Sequence, residues 1–303
     1  MRVPKELKCK EHTYGNVSGP WIEKAFYDYY NSITHDSNNT KLIYIPIQWT
    51  DFLIAHKSDR FEAFCQMRSW MVRNINPFKR YFTVVQHADG LGQLAWPNIL
   101  IFGCTQGQVP IPLNIGNLRY EGGFDRKNIF CNFFGSTGGA CNYKNLRKEM
   151  IDRFYAIKSF EYGYLDRDNY IKKIKDSTFT LCPRGYGPSS FRLYEAMAYG
   201  SIPVYIWEDV IRLPYQDEIN WDELAIICHR SSIDELPTKL LALDDVSINH
   251  MRHKIKQNFH RYFTLDAICK YITKTACKSN MNRITYSNSF ITWIKNYLHD
   301  KVY

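Results

Sequence analysis

No apolar run in this chain approaches the ~18 residues that a membrane span needs. The opening Met1-Arg2-Val3-Pro4-Lys5 leads into no hydrophobic segment. The expectation is a soluble, cytoplasmic protein without a signal peptide. No Cys-x-x-Cys pair occurs among the nine cysteines, so neither a zinc site nor a disulfide framework is indicated. Most cysteines should be reduced and buried. Lys and Arg are scattered, with no block of five or more, although the formal net charge is +9. A basic balance favours anionic partners, but without a basic arm nucleic acid is not the expected one. A Walker-type Gly-x-x-x-x-Gly-Lys-Ser/Thr is absent, which argues against an ATPase or kinase, and Gly90-Leu91-Gly92 lacks the third glycine of a dinucleotide fingerprint. The two Asn-x-Ser/Thr sequons, at Asn16 and Asn38, are about what chance supplies.

What is present is aromatic. Tyrosine alone occurs 22 times; its apolar body and polar tip suit stacking on sugars or bases, and an AT-biased genome would produce the same excess. Helical spacing covers residues 21–31, 61–73, 145–157 and 170–175, and the chain from 247 onwards reads as mostly helical. Strand patterns cover 42–47, 81–85, 98–102, 109–113, 128–134 and 224–228. Ser232-Ile233-Asp234-Glu235 reads as a capping box opening a further helix. Between 116 and 127 the pattern dissolves into Gly, Asn and charge, a boundary signal. The expected organisation is α/β, with two doubly wound units and a cleft between them: residues 1–122, 123–265 and a helical tail 266–303 packing back on the first.

The segment Leu181 to Val204 carries the chemistry. It reads as strand, Gly/Pro turn, short helix, glycine stop and second strand. A helix N-terminus presents unpaired N–H groups and partial positive charge, a site for anions. Ser189 and Ser190 stand where a cap belongs, and Gly185 and Gly187 let the backbone approach a ligand. Arg184 offers a planar fork that matches phosphate. Arg192 and Glu195, three apart, share a helical face. Arg192 would neutralise phosphate while Glu195 accepts hydrogen bonds from ribose hydroxyls; the alternative is a plain surface ion pair.

Cys182-Pro183-Arg184-Gly185, then Ser190-x-Arg192-x-x-Glu195-Ala196-Met197 and Gly200-x-Ile202-Pro203-Val204, resembles the signature of the exostosin family of glycosyltransferases. Leu213-Pro214-Tyr215 and Ile219-Asn220-Trp221 are similar to the Leu-Pro-Phe and Asp-Trp that follow there. Tyr44-Ile45-Pro46, His87-Ala88-Asp89 and Val109-Pro110-Ile111-Pro112 resemble earlier landmarks in order. The length resembles compact members from large DNA viruses and bacteria. The resemblance implies a GT-B fold of two Rossmann-like domains and inverting transfer of a sugar, UDP-xylose being the leading donor, to a glycan acceptor in N-glycan synthesis. It implies Arg184, Ser189, Ser190, Arg192 and Glu195 as donor-binding residues, with Gly135, Ser136 and Arg147 near the phosphates. The alternative is a nucleotide-sugar or glycan-binding module without catalysis.

Inverting transfer needs a base for the acceptor hydroxyl. Asp89 is the first choice and His87 the second, because two residues apart on an extended segment they point the same way; Asp51 is a more distant choice. A turn-forming Asp-Gly with a satisfied histidine is the other reading. His87-Ala88-Asp89 departs from the adjacent His-Asp common in the family. No metal or other cofactor is expected, since arginines and a helix end can stabilise the leaving group. Asp166-Arg167-Asp168 is the sole Asp-x-Asp, and it precedes a helix, where capping competes with metal binding.

Overall fold

The computed structural model describes residues 7, 21–33, 42–56, 58–76, 78–91, 98–114, 116, 118–125, 127–139 and 143–279. Asn16, Asn38 and the tail beyond 279 lie outside the described residues. The chain divides into two compact units, Met1–Ile111 with Ile268–Tyr303, and Pro112–Ala267. The expected break at 122/123 lies within the second.

The first unit contains α1 (Ile22–Ile33), β1 (Ile43–Tyr44), α2 (Trp49–Ala55), α3 (Arg60–Asn74), β2 (Tyr81–Val85), β3 (Ile99–Gly103) and β4 (Val109–Pro110). Its sheet is parallel throughout, in the order β1-β2-β3-β4. Alternation along β2 sends Tyr81 and Val85 to a core shared with Trp49, Phe52, Met67 and Met71 of α2 and α3. Phe82 points the other way, into rings of Phe26 and Tyr30 on α1 and of Tyr44 and Phe102. Helices on both faces make the unit doubly wound. The 42–47 strand pattern forms a ladder over two residues only, because Pro46 has no N–H to continue it. α2 carries no side-chain cap at Gln48, which is why its start has no sequence signal. α9 (Leu265–Lys278) starts in the second unit and belongs to this one from Ile268 onwards.

The second unit contains β5 (Ile129–Phe134), α4 (Leu146–Phe154), β6 (Phe160–Gly163), α5 (Arg167–Lys175), β7 (Ser177–Pro183), α6 (Phe191–Ala198), β8 (Ile202–Trp207), β9 (Ile226–His229), α7 (Leu236–Leu241) and α8 (Asp245–Tyr262). Its parallel sheet runs β6-β5-β7-β8-β9. The chain steps outward from β5 to β6, then returns to the other side of β5 at β7. The crevice beyond the C-terminal ends of β5 and β7 is therefore the topological switch point, where open α/β sheets bind ligands.

The capping box at 232–235 does not form. Ser232 ends a single 3₁₀ turn, and α7 begins after a helical Glu235 with no side-chain cap. Pro237 is tolerated only in a first helical turn, which moves the start downstream of the serine.

α6 is terminated by Gly200 at φ +77, a conformation open to glycine. A Cβ on Gly122 would lie 2.5 Å from the Gly200 Cα, so two backbones pass in direct contact. The Glu121 amide donates to the Ala198 carbonyl beside them, at 2.7 Å.

Candidate donor site at the switch point

Three arginines converge on the ends of β5 and β7. Arg192, in the first turn of α6, donates from Nη2 to the Phe134 carbonyl at 2.6 Å. Its guanidinium lies 4.6 Å from the Phe133 ring centre. Arg147, on α4, sits 5.6 Å from the same ring and donates to the carbonyls of Ser136 (2.6 Å) and Arg184 (3.4 Å). Arg184, just past β7, donates from Nη1 to Asp209 Oδ2 at 2.7 Å and from Nη2 to the Tyr186 carbonyl at 3.4 Å.

Glycines make these approaches possible. A Cβ at Gly135 would stand 2.4 Å from Arg192 Nη2, and one at Gly185 would stand 3.1 Å from Arg147 Nη2. The structure thus gathers Gly135, Ser136, Arg147, Arg184 and Arg192 into one place.

Arg192 is 9% exposed and has no carboxylate partner among the described residues. A buried cation without a counter-ion is strongly unfavourable, so this position favours an anion. Ser189 is also buried, and its Oγ has no hydrogen-bond partner among the described residues. Ser190 is the residue preceding α6, in extended conformation, but its side chain makes no capping bond. Both hydroxyls are left to whatever meets the helix end. Beside them, burial pushes the Cys182 thiol up to about 12, which keeps it protonated and inert.

Glu195 is paired elsewhere than with Arg192. Its buried carboxylate is bound by Arg167 and accepts from the Tyr170 hydroxyl at 2.7 Å. Burial and the Glu195 charge raise the Tyr170 phenol well above its usual value, so it remains a donor. Arg167 and Tyr170 were not among the residues the sequence singled out. Their link to Glu195 spans 28 and 25 positions, a pairing that one-dimensional spacing does not display.

Asp166 is the N-cap of α5, accepting from the Asn169 amide at 3.0 Å and from its side chain at 2.6 Å. Those bonds hold its carboxyl below the usual range. Among the described residues no group of three or more His, Cys, Asp or Glu is placed to hold a metal ion.

In the first unit, residues 87–89 form a turn and are not extended. The Gly90 amide donates to the His87 carbonyl, and Gly90 lies at φ +53. His87 Nδ1 accepts the Asp89 amide at 3.1 Å, which places the proton of a neutral ring on Nε2. The Asp89 carboxylate lies 3.8 Å from Nδ1 and is the more exposed of the two side chains. Asp51 is buried and accepts from the Trp21 indole at 3.1 Å, which removes it from consideration as a base.

A residue with no signature in the sequence is linked to this turn by hydrogen bonds through Thr50 and Gln86. Glu23 is 1% exposed, and burial raises its carboxyl to about 7 despite hydrogen bonds from Thr50 and Gln86.

Residues 106–243 match the Exostosin GT47 domain. Over 127 residues the chain is 38% identical to a probable glucuronosyltransferase, Os01g0926600, of Oryza sativa subsp. japonica, covering 42% of this chain and 30% of that protein. Over 117 residues it is 38% identical to the probable beta-1,4-xylosyltransferase IRX10 of Arabidopsis thaliana, covering 39% of this chain and 28% of that one. The chain thus spans less than a third of the curated relatives it matches. Among solved structures, TarM aligns at a TM-score of 0.41 with 11% identity, over 85% of this chain and 58% of that one. No described helix is long and apolar enough to cross a membrane.

Proposed function

We propose that this chain is a GT-B glycosyltransferase of the exostosin type that transfers a sugar from a UDP donor to a glycan acceptor. The observation that carries the proposal is the buried Arg192, cationic and, among the described residues, without a carboxylate partner, at the β5/β7 switch point beside a Ser189 hydroxyl that has no hydrogen-bond partner among them either. A diphosphate supplies the missing charge there, with Arg184 and Arg147 at its flanks. Glu195, carried on the same helix, is the proposed acceptor of ribose hydrogen bonds.

The reaction we propose is inverting and independent of metal. Asp89 takes the proton from the acceptor hydroxyl as that oxygen bonds to the anomeric carbon. The bond from that carbon to the diphosphate oxygen breaks on the opposite face, and UDP leaves with both bonding electrons. Arginines and the α6 N-terminus stabilise the developing charge. UDP-xylose is the proposed donor and an N-glycan the proposed acceptor; the names of the plant relatives make UDP-glucuronate the natural competitor.

A screen of UDP-xylose, UDP-glucuronate, UDP-glucose and UDP-N-acetylglucosamine for thermal stabilisation and hydrolysis tests the reading. Stabilisation by UDP and by at least one of these donors is expected, and loss of both in Arg192→Ala. Indifference to every UDP compound would reject it.

One observation favours the binding-module alternative: His87 is satisfied within its own turn. Donor stabilisation without any turnover in the presence of glycan acceptors would select that alternative.

A further inference from the structure

We infer that Glu23 is a positioning residue that sets the His87–Asp89 turn through the Thr50 hydroxyl and the Gln86 amide. The inference rests on the reading of Asp89 as the base.

Glu23 lies in the first turn of α1, Thr50 in the first turn of α2 and Gln86 directly after β2. One carboxylate oxygen of Glu23 ties all three together. Oε1 accepts from the Thr50 amide at 3.1 Å, from the Thr50 hydroxyl at 2.5 Å and from the Gln86 amide at 3.0 Å. Gln86 answers by accepting the Ile22 amide through its side-chain oxygen, at 3.1 Å. The Thr50 hydroxyl, having donated to Glu23, accepts the His87 amide at 2.9 Å.

The turn is held from its far side too: Thr105 donates to the carbonyls of His87 and Ala88, and Gln106 to that of Ala88. The Glu23–Thr50 relay is the only one of these described bonds that reaches a backbone N–H of the turn from another helix. It orients the hydroxyl, because a hydroxyl that gives its hydrogen to a carboxylate presents a lone pair to the next donor. Glu23 itself is too buried to meet substrate. Its second oxygen has no hydrogen-bond partner among the described residues, so the carboxyl spends its bonding capacity on the turn's scaffold. Placing a base within tenths of an ångström is worth large factors in rate, which gives such a scaffold a kinetic role.

The test uses the full chain, the UDP donors named above and four relay variants. Thr50→Val removes the relay hydroxyl at nearly constant shape; Thr50→Ser keeps it. Glu23→Ala removes the hub; Glu23→Gln keeps one acceptor oxygen. We expect Thr50→Val and Glu23→Ala to lower kcat for donor hydrolysis about tenfold or more with KM and calorimetric UDP affinity unchanged, and the Ser and Gln variants to restore it. Hydrogen exchange in the peptide spanning residue 87 should rise in Thr50→Val.

If Thr50→Val retains wild-type kcat and exchange while Asp89→Asn is inactive, the inference is overturned and the base assignment stands. If Asp89→Asn also retains kcat, or the wild type turns over none of the donors with water or with glycan acceptors, the base assignment fails and the inference goes with it.

Discussion

Gly135 and Arg192 are packed so closely that a Cβ on the glycine would sit 2.4 Å from the arginine's Nη2. The close approach comes from side-chain space and not from an unusual backbone, since Gly135 is not among the residues at positive φ. Alanine there must displace the guanidinium from the Phe134 carbonyl. We expect Gly135→Ala to stay folded and to weaken UDP binding about tenfold, the scale of one charge-assisted hydrogen bond, measured by calorimetry.

Arg192→Ala should weaken UDP by about 1.5–3 kcal/mol. Arg192→Lys should recover little of that loss, because an ammonium cannot reproduce the planar fork over Phe133. An unchanged UDP affinity in folded Arg192→Ala would remove Arg192 from the site, and full affinity in Arg192→Lys would show that charge alone, not the planar fork, is what binds.

Glu23 gives the fold a pH signature. Its carboxyl moves from 4.5 in the unfolded chain to about 7 in the native one. Between those values the native state holds a proton that the unfolded state has lost. The contribution is therefore complete below pH 4.5 and disappears as pH rises through about 7, on the order of 3 kcal/mol in all. Urea unfolding from pH 5 to 8 should show that decline in the wild type and a flatter profile in Glu23→Gln. Parallel profiles would contradict it.

Asp166 caps α5, so Asp166→Ala should cost about 1 kcal/mol of stability. Activity should survive EDTA in the wild type and in this variant alike. Strict dependence on Mn²⁺ would restore Asp166 and Asp168 as metal ligands.

Much of the second unit was legible because its signals are local. β7, the turn, α6 and β8 are written contiguously between 177 and 207, with serines before the helix and Gly200 after it. What escaped was either short or non-local. α2 and β6 are seven and four residues long and carry no strong start signal. The Glu195 partners lie on α5, and no pattern in α6 predicts them. The 87–89 segment follows a strand, which favours extended backbone, yet the Asp89-Gly90 pair carries the turn signal that wins. Glu23 had no signature: a glutamate early in a helix normally faces water, and only the assembly of α1, α2 and β2 around it reveals otherwise.

Gly122 and Gly200 meet back to back, with no room for even a methyl between them. That joint anchors the exit of α6, whose entrance carries Arg192. A mutation there would touch no ligand, yet it would tilt the helix about its tail and misaim the guanidinium at its head. Impaired nucleotide handling caused by a substitution at residue 122 would thus be a lever effect, transmitted along two turns of helix.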